Sequence, residues 1–423
     1  MSRVRRLSTH AGWGLTDQVL SSAINFALGV AVARAGTPAE FGSYSLVFAA
    51  YLIAINITRP IGIMPLIIRS SGAPPDEWRH ALGAGMGAVV VVGVALGILG
   101  LAIGAAIGGF LGLAFAIVAV GLPGLVLQDA WRLTFFAARR GKDAFVDDLA
   151  WACASLLTVA IVSAAGQASA AMYLAAWVVG ANVSATVGLL RAGVRPRLHV
   201  ASEWWARQRD LGVPLLGEHL VNNIANEVIP YIVGAISGLA AVAGLRAAQL
   251  LLGPFNVVYQ GFTLIALPEA VRLAGRSRPR LLQAAVAFSG ALVVAVLGVG
   301  LLVSSLPASV GAMILGSTWG LAQEVMVPYT LLTAAMIFAA GPIIGLRAMG
   351  EAMDSLYLGL GRASVILAGA VVGALSYGAT GAAIGMAVGH VLGSGATWWR
   401  FVVRLREPIR PVDDQAARAP WVH

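Results

Sequence analysis

A single cysteine, Cys153, stands in 423 residues. That excludes a disulfide within the chain and any metal site built on cysteine. Charge is scarce as well. Only 11% of residues are Asp, Glu, Lys or Arg, against about 25% in soluble domains. Acidic residues are the rarer kind, 19 against 28 basic ones, for a formal charge of +9. In a soluble protein that balance would point to nucleic acid. Here the basic residues lie in short loops, which makes them topology signals and leaves no nucleic-acid surface. No stretch between apolar runs is long enough to carry a soluble domain with its own activity. What the chain has in excess is apolar residues, 59%, with a mean hydropathy of +0.84. These features describe an all-α polytopic membrane protein. Residues 1–6 are basic, but no small-residue cleavage site follows a short apolar core. The first span is therefore expected to be a retained helix and not a signal peptide.

A spanning helix needs about 20 apolar residues. Twelve segments qualify: 11–33, 41–68, 81–105, 112–138, 145–166, 169–190, 211–236, 243–270, 281–304, 321–346, 355–376 and 379–402. The connections between them alternate in charge. One set, including both termini, holds 24 of the 28 basic residues. The other set holds Arg34 and Arg246 alone. The positive set marks the cytoplasmic side, so both termini are expected inside a plasma (inner) membrane crossed many times. The longest inner connection, 191–210, contains Trp204 and Trp205 and splits the chain six plus six. Its tryptophan pair suits an amphipathic stretch at the membrane interface. The expected organisation is a six-helix lobe over 1–190, the loop 191–210, a six-helix lobe over 211–404 and a short cytoplasmic tail over 405–423.

Nine residues return, altered, 201 positions later. Asp17, Ser21, Ser22 and Asn25 are matched by Glu218, Asn222, Asn223 and Asn226. The offset pairs the first span with the seventh, and both run outward. The expected architecture is thus twelve transmembrane helices in two six-helix bundles related by a pseudo-two-fold along the membrane normal. Pro123 in the fourth span and Pro328 in the tenth are a further expected correspondence, at an offset of 205.

Polar residues inside these spans need a reason, because an isolated charge there costs about 2.5–3.5 kcal/mol on insertion scales. Asp17, Arg59, Asp129 and Arg132 all fall in the inner half of the first lobe. Asp129 and Arg132, at i and i+3, share a helix face and are expected to pair locally. Asp17 and Arg59, on adjacent helices, are expected to pair across them. Two readings remain open for this group: buried ion pairs that fix helix register, or cations that line a cavity. In the seventh span Glu218, Asn222 and Asn226 form one polar stripe at i, i+4 and i+8. Gln249 and Asn256 in the eighth can lie opposite. His219 and His390 read as packed residues. No spacing resembles a metal site or a nucleophilic triad, so no cofactor and no enzymatic activity are expected.

The residues 33–44, from Ala33 and Arg34 through Pro38, Glu40 and Phe41 to Tyr44, resemble a turn of the Wzx-type polysaccharide flippases. These belong to the multidrug/oligosaccharidyl-lipid/polysaccharide exporter superfamily. Ala35 replaces the family's usual Leu, and Thr37 is a further departure. Residues 14–18, the run 244–249 with Gly253 and Pro254, and the run 315–322 are similar to other family stretches. The likeness extends over about 10–405, and none of its motifs is diagnostic of a substrate. The resemblance implies two lobes working by alternating access, without a cofactor. It implies an undecaprenyl-diphosphate-linked oligosaccharide as substrate, carried to the outer leaflet for cell-surface polysaccharide export. Polysaccharide polymerase or assembly proteins are the partners it suggests.

Arginine suits phosphate because its planar fork makes bidentate contacts. Arg59 and Arg132 are therefore the expected diphosphate contacts. Asn25, Asn222, Asn226 and Gln249 are the expected sugar contacts. Asp17, Asp129 and Glu218 are the expected ion-pair or coupling residues, with Asp17 and Glu218 able to take a cation or a proton. Three alternatives stand beside this one. A cation-coupled multidrug exporter of the same superfamily would call for carboxylates in the first lobe and fewer cavity arginines. A lipid II flippase-like protein would call for further helices after the twelfth. A membrane scaffold of a polysaccharide assembly complex would leave the charges purely structural.

Overall fold

In the computed structural model, residues 3–349 and 352–407 are described, and among them no strand occurs. The helices in chain order are α1 Arg3–Ala35, α2 Pro38–Ser70, α3 Pro75–Ile107, α4 Gly109–Ala137, α5 Gly141–Ala164, α6 Ala170–Ala192 and α7 Ala201–Ser237. They continue with α8 Leu239–Leu251, α9 Gly253–Ala274, α10 Arg278–Ser304, α11 Ala308–Leu315, α12 Trp319–Phe338, α13 Ala340–Ala348 and α14 Ala352–Arg406. Each expected span falls on helix. The eighth is divided between α8 and α9, and the tenth between α12 and α13. The eleventh and twelfth are the two halves of α14. They part at Tyr377 and Gly378, where Gly378 has φ 61°. A side chain resists that backbone conformation, so glycine marks the reversal. Among the described residues, nine segments are long and apolar enough to cross a membrane. α7 falls short through its polar residues, and α8 through its length.

Loops end the helices by local chemistry. The Thr37 hydroxyl accepts from the Glu40 amide, and the Glu40 carboxylate accepts from the Thr37 amide at 2.7 Å, a reciprocal cap on α2. Such a box with Pro38 at the first turn fixes where the second helix begins. Outward faces are apolar, as a lipid-facing surface must be. Val120, Leu190, Leu301 and Leu302 are among the large exposed side chains.

The chain forms two compact units, Met1–Gly253 with Pro307–Gln323 and Pro254–Leu306 with Glu324–His423. The first is centred on aromatic packing. Trp177 lies 5.0 Å from Tyr51 edge to face, and Trp151 donates its indole N–H to the Trp177 carbonyl at 3.1 Å. α7 and α8 pack on α2 within this unit, where Tyr231 donates to the Leu46 carbonyl at 2.7 Å. In the second unit, Phe401, Leu346 and Leu281 are at most 1% exposed and anchor one cluster. Val296 and Ile337 anchor another.

Basic connections of the first unit are tied together at one end. Arg140 donates to the Arg191 carbonyl at 2.9 Å, Arg191 pairs with Asp143, and Arg79 donates to the Gly193 carbonyl at 2.8 Å. Arg69 pairs with Asp210 outside the membrane spans, and its hydrogen bonds hold the Asp210 carboxyl below the usual carboxylate range. The contribution of this exposed pair is present above the ordinary Asp pKa of about 4 and is lost as pH falls below it.

Candidate functional site

The densest polar constellation lies in the first unit, where α1, α2, α4 and α5 meet. Arg59 makes a two-pronged contact with Asp129, Nε to Oδ2 at 2.8 Å and Nη2 to Oδ1 at 2.6 Å. Arg132 donates through Nε and Nη2 to Asp17 Oδ2, at 2.8 and 2.6 Å, and lies 3.3 Å from Asp148 Oδ2. Its Nη2 also reaches Gln18 Oε1 at 3.4 Å, and its guanidinium sits 5.8 Å from the centre of the Phe136 ring. Gln128 donates to Asp148 Oδ1 at 2.8 Å. Asp17, Asp147 and Asp148 are fully buried.

The four charges expected at one depth are thus together, but paired the other way. Arg132 does not close on its helix neighbour Asp129, and Arg59 does not reach Asp17. α2 presents Arg59 to Asp129, while Arg132 turns to α1 and α5. The physical reason is burial. The local pair would leave the fully buried Asp17 and Asp148 without a cation. The crossed arrangement gives each a guanidinium, and an unpaired charge in such a place is far costlier than a paired one.

Asp147, Asp148 and Gln128 were not anticipated. The signal was present, two adjacent acids near the start of the expected fifth span, 145–166. α5 begins at Gly141, so Asp147 lies six steps in, about 9 Å along the helix. Asp147 carries a further peculiarity, since neither carboxylate oxygen has a hydrogen-bond partner among the described residues. With Asp17 and Asp129, four carboxylates face two guanidiniums. If all were ionised the group would carry two net negative charges in a dry setting.

A second, smaller group joins α2 and α8. Arg246 lies over the Phe48 ring at 4.3 Å and donates to Gln249 Oε1 at 2.7 Å. Its Nε is buried without a hydrogen-bond partner among the described residues. Gln249 is exposed, as are Glu218 and Asn226 on α7. Asn25 donates to the Ser21 carbonyl at 2.9 Å, and its Oδ1 is buried and unsatisfied. The side chains of Asn222 and Asn256 lie outside those described. Among the described residues no group of three or more His, Cys, Asp and Glu side chains is arranged to hold a metal ion.

Three solved structures share this architecture end to end. An inward-facing multidrug resistance MATE family transporter of the MOP superfamily superposes with a TM-score of 0.68 at 16% identity, covering 95% of this chain and 96% of the other. The lipid II flippase MurJ in an inward closed conformation gives 0.69 at 12% identity, covering 96% and 89%. The chain has the fold of the MATE transporters and of MurJ. An outward-facing MATE transporter of the same superfamily gives 0.61 at 16% identity and covers 96% of each chain. No family model and no curated protein matches the chain.

Proposed function

We propose that this protein is a flippase that moves a lipid-linked oligosaccharide diphosphate across the plasma membrane by alternating access of lobes 1–190 and 211–404, with both termini cytoplasmic. The observation that carries this reading is the state of Arg59. Asp129 engages only its Nε and Nη2, Nη1 makes no hydrogen bond among the described residues, and the side chain is 28% exposed. A half-satisfied guanidinium inside a bilayer is suited to an anionic visitor, and a diphosphate offers the matching pair of oxygens. Arg132, held through Nε and Nη2 by Asp17, Asp148 and Gln18 and only 19% exposed, is the weaker candidate and serves to hold the cluster. Asn25, Asn222, Asn226 and Gln249 remain the groups suited to sugar hydroxyls.

Replacing Arg59 with Ala is expected to cut glycan export about ten- to hundredfold, the equivalent of one charge-assisted hydrogen bond of about 1.5–3 kcal/mol. Arg59→Ala also strands Asp129, so the decisive variant is Arg59→Ala with Asp129→Asn, which removes both charges. It should insert normally in cells lacking the native protein and still fail to export. Export at the normal rate would sink the diphosphate reading.

One observation favours a second reading. The surplus of buried carboxylates is what a proton-coupled multidrug exporter needs, and neither Asp147 oxygen has a hydrogen-bond partner among the described residues. Under that reading Asp147→Asn abolishes pH-driven dye efflux from vesicles, while a flippase that lacks proton coupling is indifferent to it.

A further inference from the structure

We propose that the segment 194–212, between α6 and the body of α7, is a strap that sets the position of Arg59, with Trp204 as the positioning residue. Within α2, the run Arg59–Ile63 is a π-turn flanked by α-helix, with Pro60 inside it and Pro65 two residues beyond it. In an α-helix the Ile61 carbonyl would accept from the amide four residues on. That residue is Pro65, which has no N–H to give. A donor reaches that carbonyl from outside the helix. The Trp204 indole N–H donates to the Ile61 carbonyl at 3.0 Å, and the ring is buried. The bond falls two residues from Arg59, on the turn that aims its guanidinium at Asp129.

The rest of the segment is fastened on both sides of that bond. The Arg197 amide donates to the Gly83 carbonyl of α3 at 2.8 Å. A methyl group on Gly87 would lie 2.2 Å from the Arg197 carbonyl oxygen, so the strap backbone rests directly on the α3 backbone. At the far end of α2, Arg69 donates to the Arg207 carbonyl at 3.2 Å and to Gln208 Oε1 at 2.8 Å, and pairs with Asp210. The segment therefore bears directly on the turn carrying Arg59, and not only on the helix ends. Sequence alone gave Trp204 an interfacial anchoring role, which does not account for a buried indole bonded to a helix carbonyl.

The importance of this positioning for transport rests on the Arg59 reading above, but the bond can be tested apart from it. Trp204→Phe keeps an aromatic ring and removes the donor. Pro65→Ala restores an amide to the Ile61 carbonyl from within the helix. Amide hydrogen exchange over residues 59–66 of the full chain in detergent should rise about fivefold or more in Trp204→Phe, the scale of one lost hydrogen bond. It should return toward the wild-type value in the double variant. Export should fall and recover in step, by a similar factor. Exchange that is unchanged in Trp204→Phe overturns the proposal. So does a double variant no better than the single one, because the loss would then come from ring packing. If Trp204→Phe alone fails to insert and the double variant inserts, the donor is confirmed as the missing element. If Arg59→Ala with Asp129→Asn exports normally, the diphosphate reading fails, and the exchange experiment still decides the strap.

Discussion

Replacing Arg132 with Ala will destabilise the first unit more than any other single truncation in it. Among the described residues Arg132 is the one cation paired with Asp17, and it also faces Asp148; both carboxylates are fully buried. Breaking a buried pair by removing one partner costs about 3–5 kcal/mol, because an uncompensated charge stays behind. Thermal unfolding in detergent should show a large drop in the midpoint. The compensated variant, Arg132→Gln with Asp17→Asn, should recover most of the loss, because it leaves no stranded charge at position 17. Failure of Arg132→Ala to lower the midpoint would mean that water or protons already neutralise the acids. The same comparison separates architecture from transport. A compensated variant that is stable and inactive assigns the pair to function, and one that is stable and active assigns it to register.

The second large effect is expected in the last helical hairpin. The two halves of α14 meet through Gly369 and Gly373 on one and Gly381 and Gly385 on the other. A methyl group on Gly385 would lie 1.9 Å from the Gly369 carbonyl oxygen, and one on Gly373 would lie 2.0 Å from that of Gly381. The approach is backbone to backbone, so no flexible side chain can yield. Gly385→Ala must push the halves apart, at about 1–3 kcal/mol or more. Gly385→Leu should prevent folding, read as degradation or aggregation during expression. The control is Gly395→Ala on the same helix, where the added methyl meets nothing within 4 Å. Equal effects at 385 and 395 would show that glycine serves helix flexibility here and not contact. Each half spaces its two glycines four apart, the small-residue pattern that lets membrane helices approach closely.

Much of the fold could be read directly from the residues. Hydropathy placed all twelve spans on helix, and the break at Tyr377–Gly378 fell in the gap between 376 and 379. Depth counting drew Asp17, Arg59, Asp129 and Arg132 into one layer. It failed on the partners, since i to i+3 spacing says who can touch on one helix and nothing about which helix crosses the face. It also left out Asp148, although that residue lies within the expected fifth span of 145–166, and it could not find the partner of Trp204, a carbonyl 143 positions away.

What the sequence determined by itself is the class of the molecule: apolar runs of spanning length, basic loops on alternate connections, and polar groups too costly to face lipid. These are one-dimensional properties, fixed by transfer free energies and by the rise of a helix. What only the tertiary structure decided is who neutralises whom. Arg59 belongs to Asp129, Arg132 belongs to Asp17 and Asp148, and the Trp204 indole belongs to the Ile61 carbonyl. The physical reason is the same in each case. Inside a bilayer every charge and every orphaned backbone group must find a partner, and the partner is chosen by how the helices cross.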